Sequence, residues 1–93
     1  MAYADEQSYE EMISLIQTFL VNAEDECAVM ESAGEDCVDN TEDDEVAKKA
    51  NTKLVSCIAD IRASFEQIRD IAVALQEELE DIRERAAKAN FDD

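Results

Sequence analysis

Residues 54–89 read LVSCIADIRASFEQIRDIAVALQEELEDIRERAAKA, and the apolar residues of this stretch follow one another in steps of four and three. Such steps place side chains on one stripe of an α-helix. A seven-residue repeat sustained over this length predicts knobs-into-holes packing against another helix. The stripe consists of Leu54, Ile58, Ile61, Phe65, Ile68, Ala72, Leu75, Leu79, Ile82, Ala86 and Ala89.

A second stripe with the same spacing lies in the first half of the chain. Its members are Tyr9, Ile13, Ile16, Leu20, Ala23, Cys27, Met30, Gly34 and Cys37. The chain has no proline and only one glycine, a composition that favours long uninterrupted helices. The two stripes therefore predict an all-α protein, an antiparallel two-helix hairpin with coiled-coil packing that forms one domain over residues 1–93.

The polar residues between the stripes predict the turn of the hairpin. We expect helix 1 at about 5–34, an acidic turn at about 35–44 and helix 2 at about 42–90. Because the stripe continues to Cys37, the alternative is that helix 1 passes through Gly34 and ends near Val38. Thr41, with Asp44 three residues later, is the predicted N-cap of helix 2.

A turn near Asn40 sets a register in which Leu20 faces Ile61 and Ile13 faces Ile68. In that register the last apolar residues of helix 2 lie beyond the start of helix 1 and have no partner within the chain. Helix 1 also has a second apolar edge, and so does helix 2. These edge residues are Met12, Leu15, Phe19 and Val29 in helix 1, and Val55 and Ile71 in helix 2.

Apolar surface of this kind on a small domain indicates an interface, because a two-helix hairpin buries too little to cover it. We therefore expect a partner chain that completes a four-helix bundle, either a second copy or another helical protein. The predicted partner-binding residues are Met12, Leu15, Phe19, Leu75, Leu79, Ile82 and Ala86.

The charge of the chain is strongly negative and unevenly distributed. The formal net charge is −17, and residues 1–47 hold fifteen acidic residues and no basic one. A surface of this sign repels nucleic acid and anionic lipid, so we expect no nucleic-acid partner. No stretch reaches the length of apolar sequence needed to span a bilayer, so we expect no membrane insertion.

The residue types do not favour catalysis or metal binding. The chain has no histidine and no CxxC motif, and the aspartates of the acidic turn miss the spacing of an EF-hand loop. We expect no catalytic residue, no cofactor and no metal site. Cys27 and Cys57 lie near each other in the predicted register, so a disulfide between them is one interpretation and two small buried thiols the other.

The architecture resembles the WXG family, the ESAT-like small helical-hairpin proteins of type VII secretion, and the helical escort proteins that accompany LXG-type toxins. The resemblance covers nearly the whole chain, but the motifs depart from the family pattern. Ser32-Ala33-Gly34 stands where the family has Trp-x-Gly, and Phe91-Asp92-Asp93 departs from the Tyr-x-x-x-Asp/Glu and Phe-x-x-x-Asp export tails. The resemblance implies a bacterial source, dimers that form four-helix bundles, and no cofactor.

The sequence thus predicts a non-enzymatic helical binding module, an escort or WXG-like subunit that pairs with the helical N-terminal region of a secreted toxin or with itself. Residues 1–6 lack the basic and apolar regions of a cleavable signal peptide. We expect a cytoplasmic protein, with export by the type VII route as the alternative. The rival functions are a self-assembling coiled-coil subunit of a secretion needle or phage, and a small acidic secretion chaperone.

Overall fold

Two α-helices make up almost all of the chain in the computed structural model, which describes residues 2–91 and the side chains of residues 5–89. Helix α1 spans Ala2–Asp39 and helix α2 spans Glu45–Phe91. Residues 2–91 contain no strand, which confirms the predicted all-α hairpin. Asp92 and Asp93, which belong to the C-terminal sequence that departs from the family's export tails, lie outside the described residues.

Helix α1 passes through Gly34 and ends at Asp39. The alternative end near Val38 is therefore confirmed, and the predicted end at residue 34 is wrong. Gly34 has no positive φ, so it does not serve as a C-terminal cap. Its role is close packing, because a Cβ at this position would overlap the side-chain oxygen of Asn51 and lie 3.2 Å from Leu54 Cδ2.

The turn is shorter than predicted and occupies residues 40–44. The Thr41 hydroxyl donates to the Cys37 carbonyl at 2.7 Å, so Thr41 closes the end of α1 and does not cap α2. The N-cap of α2 is Asp44, whose Oδ1 accepts from the backbone amides of Val46 at 2.8 Å and Ala47 at 3.0 Å. Glu42 and Asp43 have φ values of 38° and 62°, and these two left-handed residues reverse the chain.

The packing of the helices falls into two compact units. Unit 1 comprises Met1–Phe19 and Gln67–Asp93, and its buried apolar residues are Ile13 and Leu79. Tyr9, Ile16, Ile68, Ala72, Leu75 and Ile82 are half-buried beside them. Each helix thus supplies one fully buried side chain to this unit and a flank of partly covered ones.

Unit 2 comprises Leu20–Glu66 and has the more complete interior. Its buried residues are Leu20 and Cys27 of α1 and Ile58 and Phe65 of α2. On each helix these residues are seven apart, so they occupy the same position of the repeat. The burial of Phe65 was predicted; Ile68, predicted to be buried with it, is half-buried.

The observed register differs from the prediction by at least one helical turn. Arg62 pairs with Glu24 and Glu31, whereas the predicted register places it opposite residues near 20. In unit 1 Arg83 pairs with Glu6 and Glu10, although the predicted register leaves this part of α2 beyond the start of helix 1. Helix α1 begins at Ala2, before the predicted start, and the turn is centred later than Asn40. Both differences bring more of α2 beside α1 than predicted.

Candidate partner-binding surface

Arginine–glutamate pairs close one edge of the seam between the two helices in unit 1. Arg83 donates to the Glu10 carboxylate and lies 4.0 Å from that of Glu6. Both partners are on α1, so the pairs join the helices across the seam. Because the side chains are partly solvent-exposed, each pair contributes modestly to stability, about 0.2–1 kcal/mol. Their larger effect is that charged side chains cover this edge of the seam.

Unit 2 has the same arrangement in a stronger form around Arg62. Its guanidinium donates to Glu31 at 2.6 and 2.8 Å and to Glu24 at 3.1 and 3.2 Å. The planar guanidinium fits two carboxylates at once, which a lysine could not do with the same geometry. The hydrogen bond from Arg62 holds the pKa of Glu31 below its ordinary value of 4.5, and the two carboxylates raise the pKa of Arg62.

Helical geometry identifies the residues at the opposite edge of the seam in unit 1. Successive residues are about 100° apart around a helix. Measured from the buried Ile13, Glu10 and Met12 therefore lie on opposite flanks of α1. Measured from the buried Leu79, Arg83 and Ile71 likewise lie on opposite flanks of α2. Since Arg83 and Glu10 meet at one edge, the flanks with Met12 and Ile71 form the other edge.

That other edge is apolar and exposed. Met12 is 50%, Leu15 69%, Phe19 51% and Ile71 51% exposed. We call these four residues, with the half-buried Ile68, Leu75 and Ile82 that border them, the apolar face of unit 1. One edge of the seam in this unit is thus closed by charged pairs, and the other presents large hydrophobic side chains to solvent.

The structure brings together most of the predicted partner-binding residues and corrects one of them. Met12, Leu15 and Phe19 are exposed, and Leu75, Ile82 and Ala86 are half-buried. Leu79 is only 2% exposed, so the prediction that it has no cover within the chain is wrong. The correction follows from the register, because α1 still runs beside α2 at Arg83.

The predicted disulfide is not formed in the structure. Cys27, Cys37 and Cys57 are free thiols. Cys27 is buried in the seam of unit 2, whereas Cys57 is exposed because its neighbour Ile58 occupies the buried position of the repeat. A difference of one residue turns a side chain about 100° around a helix, which places Cys57 at the flank.

Other kinds of site receive no support from the described residues. Over residues 2–91 no three acidic or cysteine side chains converge in a way that could hold a metal ion. Neither α1 nor α2, as far as it is described, offers a stretch both long and apolar enough for a bilayer. The apolar face of unit 1 is therefore the feature with the clearest chemical meaning.

Comparisons with known proteins give no match to a family model, to a curated protein or to a solved structure. The function must therefore be argued from the chain itself.

The charged pairs across the seam were not predicted from the sequence. A signal for them exists: Glu10, Glu24 and Glu31 on one helix, and Arg62 and Arg83 on the other, occupy the same position of their seven-residue repeats. In an antiparallel pair, equivalent positions meet at the same edge. Glutamates and arginines at equivalent positions therefore indicate which edge of the seam carries charged pairs and which edge is free of them.

Proposed function

We propose that this chain is a non-enzymatic binding module whose apolar face in unit 1 docks against the helices of a partner and completes a four-helix bundle. The observation that carries the proposal is the contrast between the two edges of the seam. Charged pairs close one edge, while the other exposes large apolar side chains. Full burial of such a side chain contributes roughly 1.5–3 kcal/mol, so a helical partner gains considerably from covering them.

The biological setting that we propose is type VII secretion, where the chain acts as an escort or WXG-like subunit for a secreted toxin. The support is the resemblance in hairpin architecture described above. A helix laid along a hydrophobic groove is a common mode of recognition, and Met12, Leu15 and Phe19 supply exposed apolar contacts for such a helix.

The test is to look among the neighbouring genes for a large protein with a helical N-terminal region, and to co-express that region with this chain, followed by purification and sedimentation analysis. The variant Met12→Gln/Leu15→Gln/Ile71→Gln removes apolar surface without placing charge in a core. The matched control is Val21→Gln/Val29→Gln/Val55→Gln, which changes three exposed apolar residues of unit 2. Surface changes of this type alter folding free energy by about 0.5 kcal/mol or less each.

We expect a discrete complex with the wild type and the control, and none with the face variant. A complex that survives the face variant would overturn the proposed binding surface. A wild type that polymerises progressively with concentration, without binding the neighbouring protein, would instead support a self-assembling structural subunit.

A further inference from the structure

We infer that the occupant of the apolar face is a basic amphipathic helix of a different protein, and not a second copy of this chain. The inference rests on the proposed function, since it names the chemistry of the partner that the same face selects. It depends on the charge around the face, which is a separate observation from its apolar character.

Unit 1, which carries the apolar face, is predominantly acidic. The described part of unit 1 holds ten acidic and four basic residues, a formal charge of −6. Glu11 is exposed and lies four residues before Leu15, on the same stripe of α1. On α2, Glu78 lies seven residues after Ile71 and pairs with Arg85 at 3.1 Å. Helix α1 has no basic residue at all, so nothing on that helix neutralises its acidic residues, which we call the rim of the apolar face.

A second copy would bring the same acidic rim against the first. Each chain has a formal charge of −17, and acids brought within about 10 Å of each other repel, because salt at 0.1 M screens poorly over that distance. Like charges brought together at an interface disfavour the wrong partner, whereas opposite charges speed and strengthen the correct encounter. The face therefore combines an apolar centre, which any helix could cover, with a rim that selects lysine and arginine.

The test uses three synthetic peptides of about four heptads, with leucine at the core positions and lysine, glutamine or glutamate at the flanking positions. Binding to the full chain is measured by fluorescence anisotropy at low and high salt, and the state of the chain alone by sedimentation equilibrium. The variants are the triple glutamine variant of the face, the rim variant Glu11→Gln, and the distant control Asp25→Asn in unit 2.

We expect the lysine peptide to bind at least about tenfold more tightly than the glutamate peptide, with the glutamine peptide between them. We also expect this ranking to weaken in high salt, affinity to be lost in the face variant, and Glu11→Gln to weaken the lysine peptide more than Asp25→Asn does. Equal binding of all three peptides that depends on the face would overturn the charge inference and leave the proposed function standing.

The remaining outcomes are also decisive. A stable dimer of the wild type at micromolar concentration, abolished by the face variant, would overturn the inference because a second copy would then be the occupant. Lysine-peptide binding that persists in the face variant would show general attraction to an acidic surface and would overturn it as well. If none of the peptides binds, the inference fails; if the neighbouring protein does not bind either, the proposed function fails with it.

Discussion

Units 1 and 2 are built from the same two helices and the same repeat, yet they differ in how many side chains each buries in its seam. Unit 2 buries four side chains in its seam and binds two glutamates with one arginine. Unit 1 buries two side chains and leaves Met12, Leu15 and Ile71 exposed on one side. Unit 2 also exposes large apolar side chains, among them Val21, Val29 and Val55. The units therefore differ in their seams, where that of unit 2 contributes more buried side chains to the stability of the hairpin, and unit 1 groups Met12, Leu15 and Ile71 on one side.

The largest effect should come from Phe65→Ala in unit 2. Phe65 is buried at a repeated position of the seam, and truncation of a buried phenylalanine costs about 3–5 kcal/mol. Small domains have little stability to lose, so we expect far-UV circular dichroism to show largely unfolded protein at room temperature. Leu79→Ala in unit 1 should cost about 2–5 kcal/mol, and the exposed control Val73→Ala close to nothing. A greater loss for Leu79→Ala than for Phe65→Ala would reverse the comparison of the units.

The next effect should come from Gly34→Ala, which tests a close approach of the helices in unit 2. The added methyl group would overlap the Asn51 side-chain oxygen, and overpacking costs about 1–3 kcal/mol. Alanine is also the better helix former by about 1 kcal/mol, so the net loss should be smaller than the clash alone. Urea denaturation should show that loss, and Asn51→Ala should reverse it in the double variant. A stabilised single variant would show that the seam is not tight at Gly34.

A smaller effect should appear in the acid response of Arg62→Met. Arg62 lowers the pKa of Glu31, so the unfolded chain binds a proton more readily than the folded one as the pH falls through the ordinary glutamate range. The stability that comes from this pair is therefore present above that range and is lost below it. We expect the melting temperature of the wild type to exceed that of the variant at neutral pH, with the gap closing as the pH falls. A gap that stays constant with pH would mean that the pair contributes nothing through ionisation.

The smallest perturbation uses the thiols as reporters and leaves the sequence unchanged. Cys37 and Cys57 are exposed and Cys27 is buried in unit 2. A thiol reagent in excess should modify two cysteines rapidly, and the third only at the rate at which unit 2 opens. Mass spectrometry after short exposure identifies the sites. Rapid modification of Cys27 would show that the seam of unit 2 opens readily.

The sequence was sufficient for the fold class because the four-three spacing has one simple structural solution. It was not sufficient for the register, since a seven-residue repeat allows several alignments and the choice depends on where the turn lies. Thr41 and Asp44 are both good capping residues, and only the structure shows that Asp44 caps α2 while Thr41 closes α1. Because the predicted register was wrong, Leu79 was assigned to the interface, whereas it lies in the interior of unit 1.

The candidate surface was predictable in part, because some of its residues are fixed by the spacing within one helix. Met12, Leu15 and Phe19 form a stripe beside the seam whatever the register, so their exposure did not depend on the alignment. Ile71 was recognised as an edge residue, but its place beside the α1 stripe required knowing which edge the arginines occupy. That information lies in pairs of residues far apart in sequence, such as Arg83 with Glu10, and a pattern within one helix does not contain it.

A repeat of seven residues has a translational degeneracy: if one helix slides along the other by one heptad, every apolar position again meets an apolar position. The Arg62 contact removes this degeneracy, because Glu24 and Glu31 are themselves one heptad apart and both are occupied. After a slide in one direction Arg62 would reach Gln17 in place of one glutamate, and in the other direction Val38. The ion pairs of Arg62 therefore specify the native register over the two neighbouring ones.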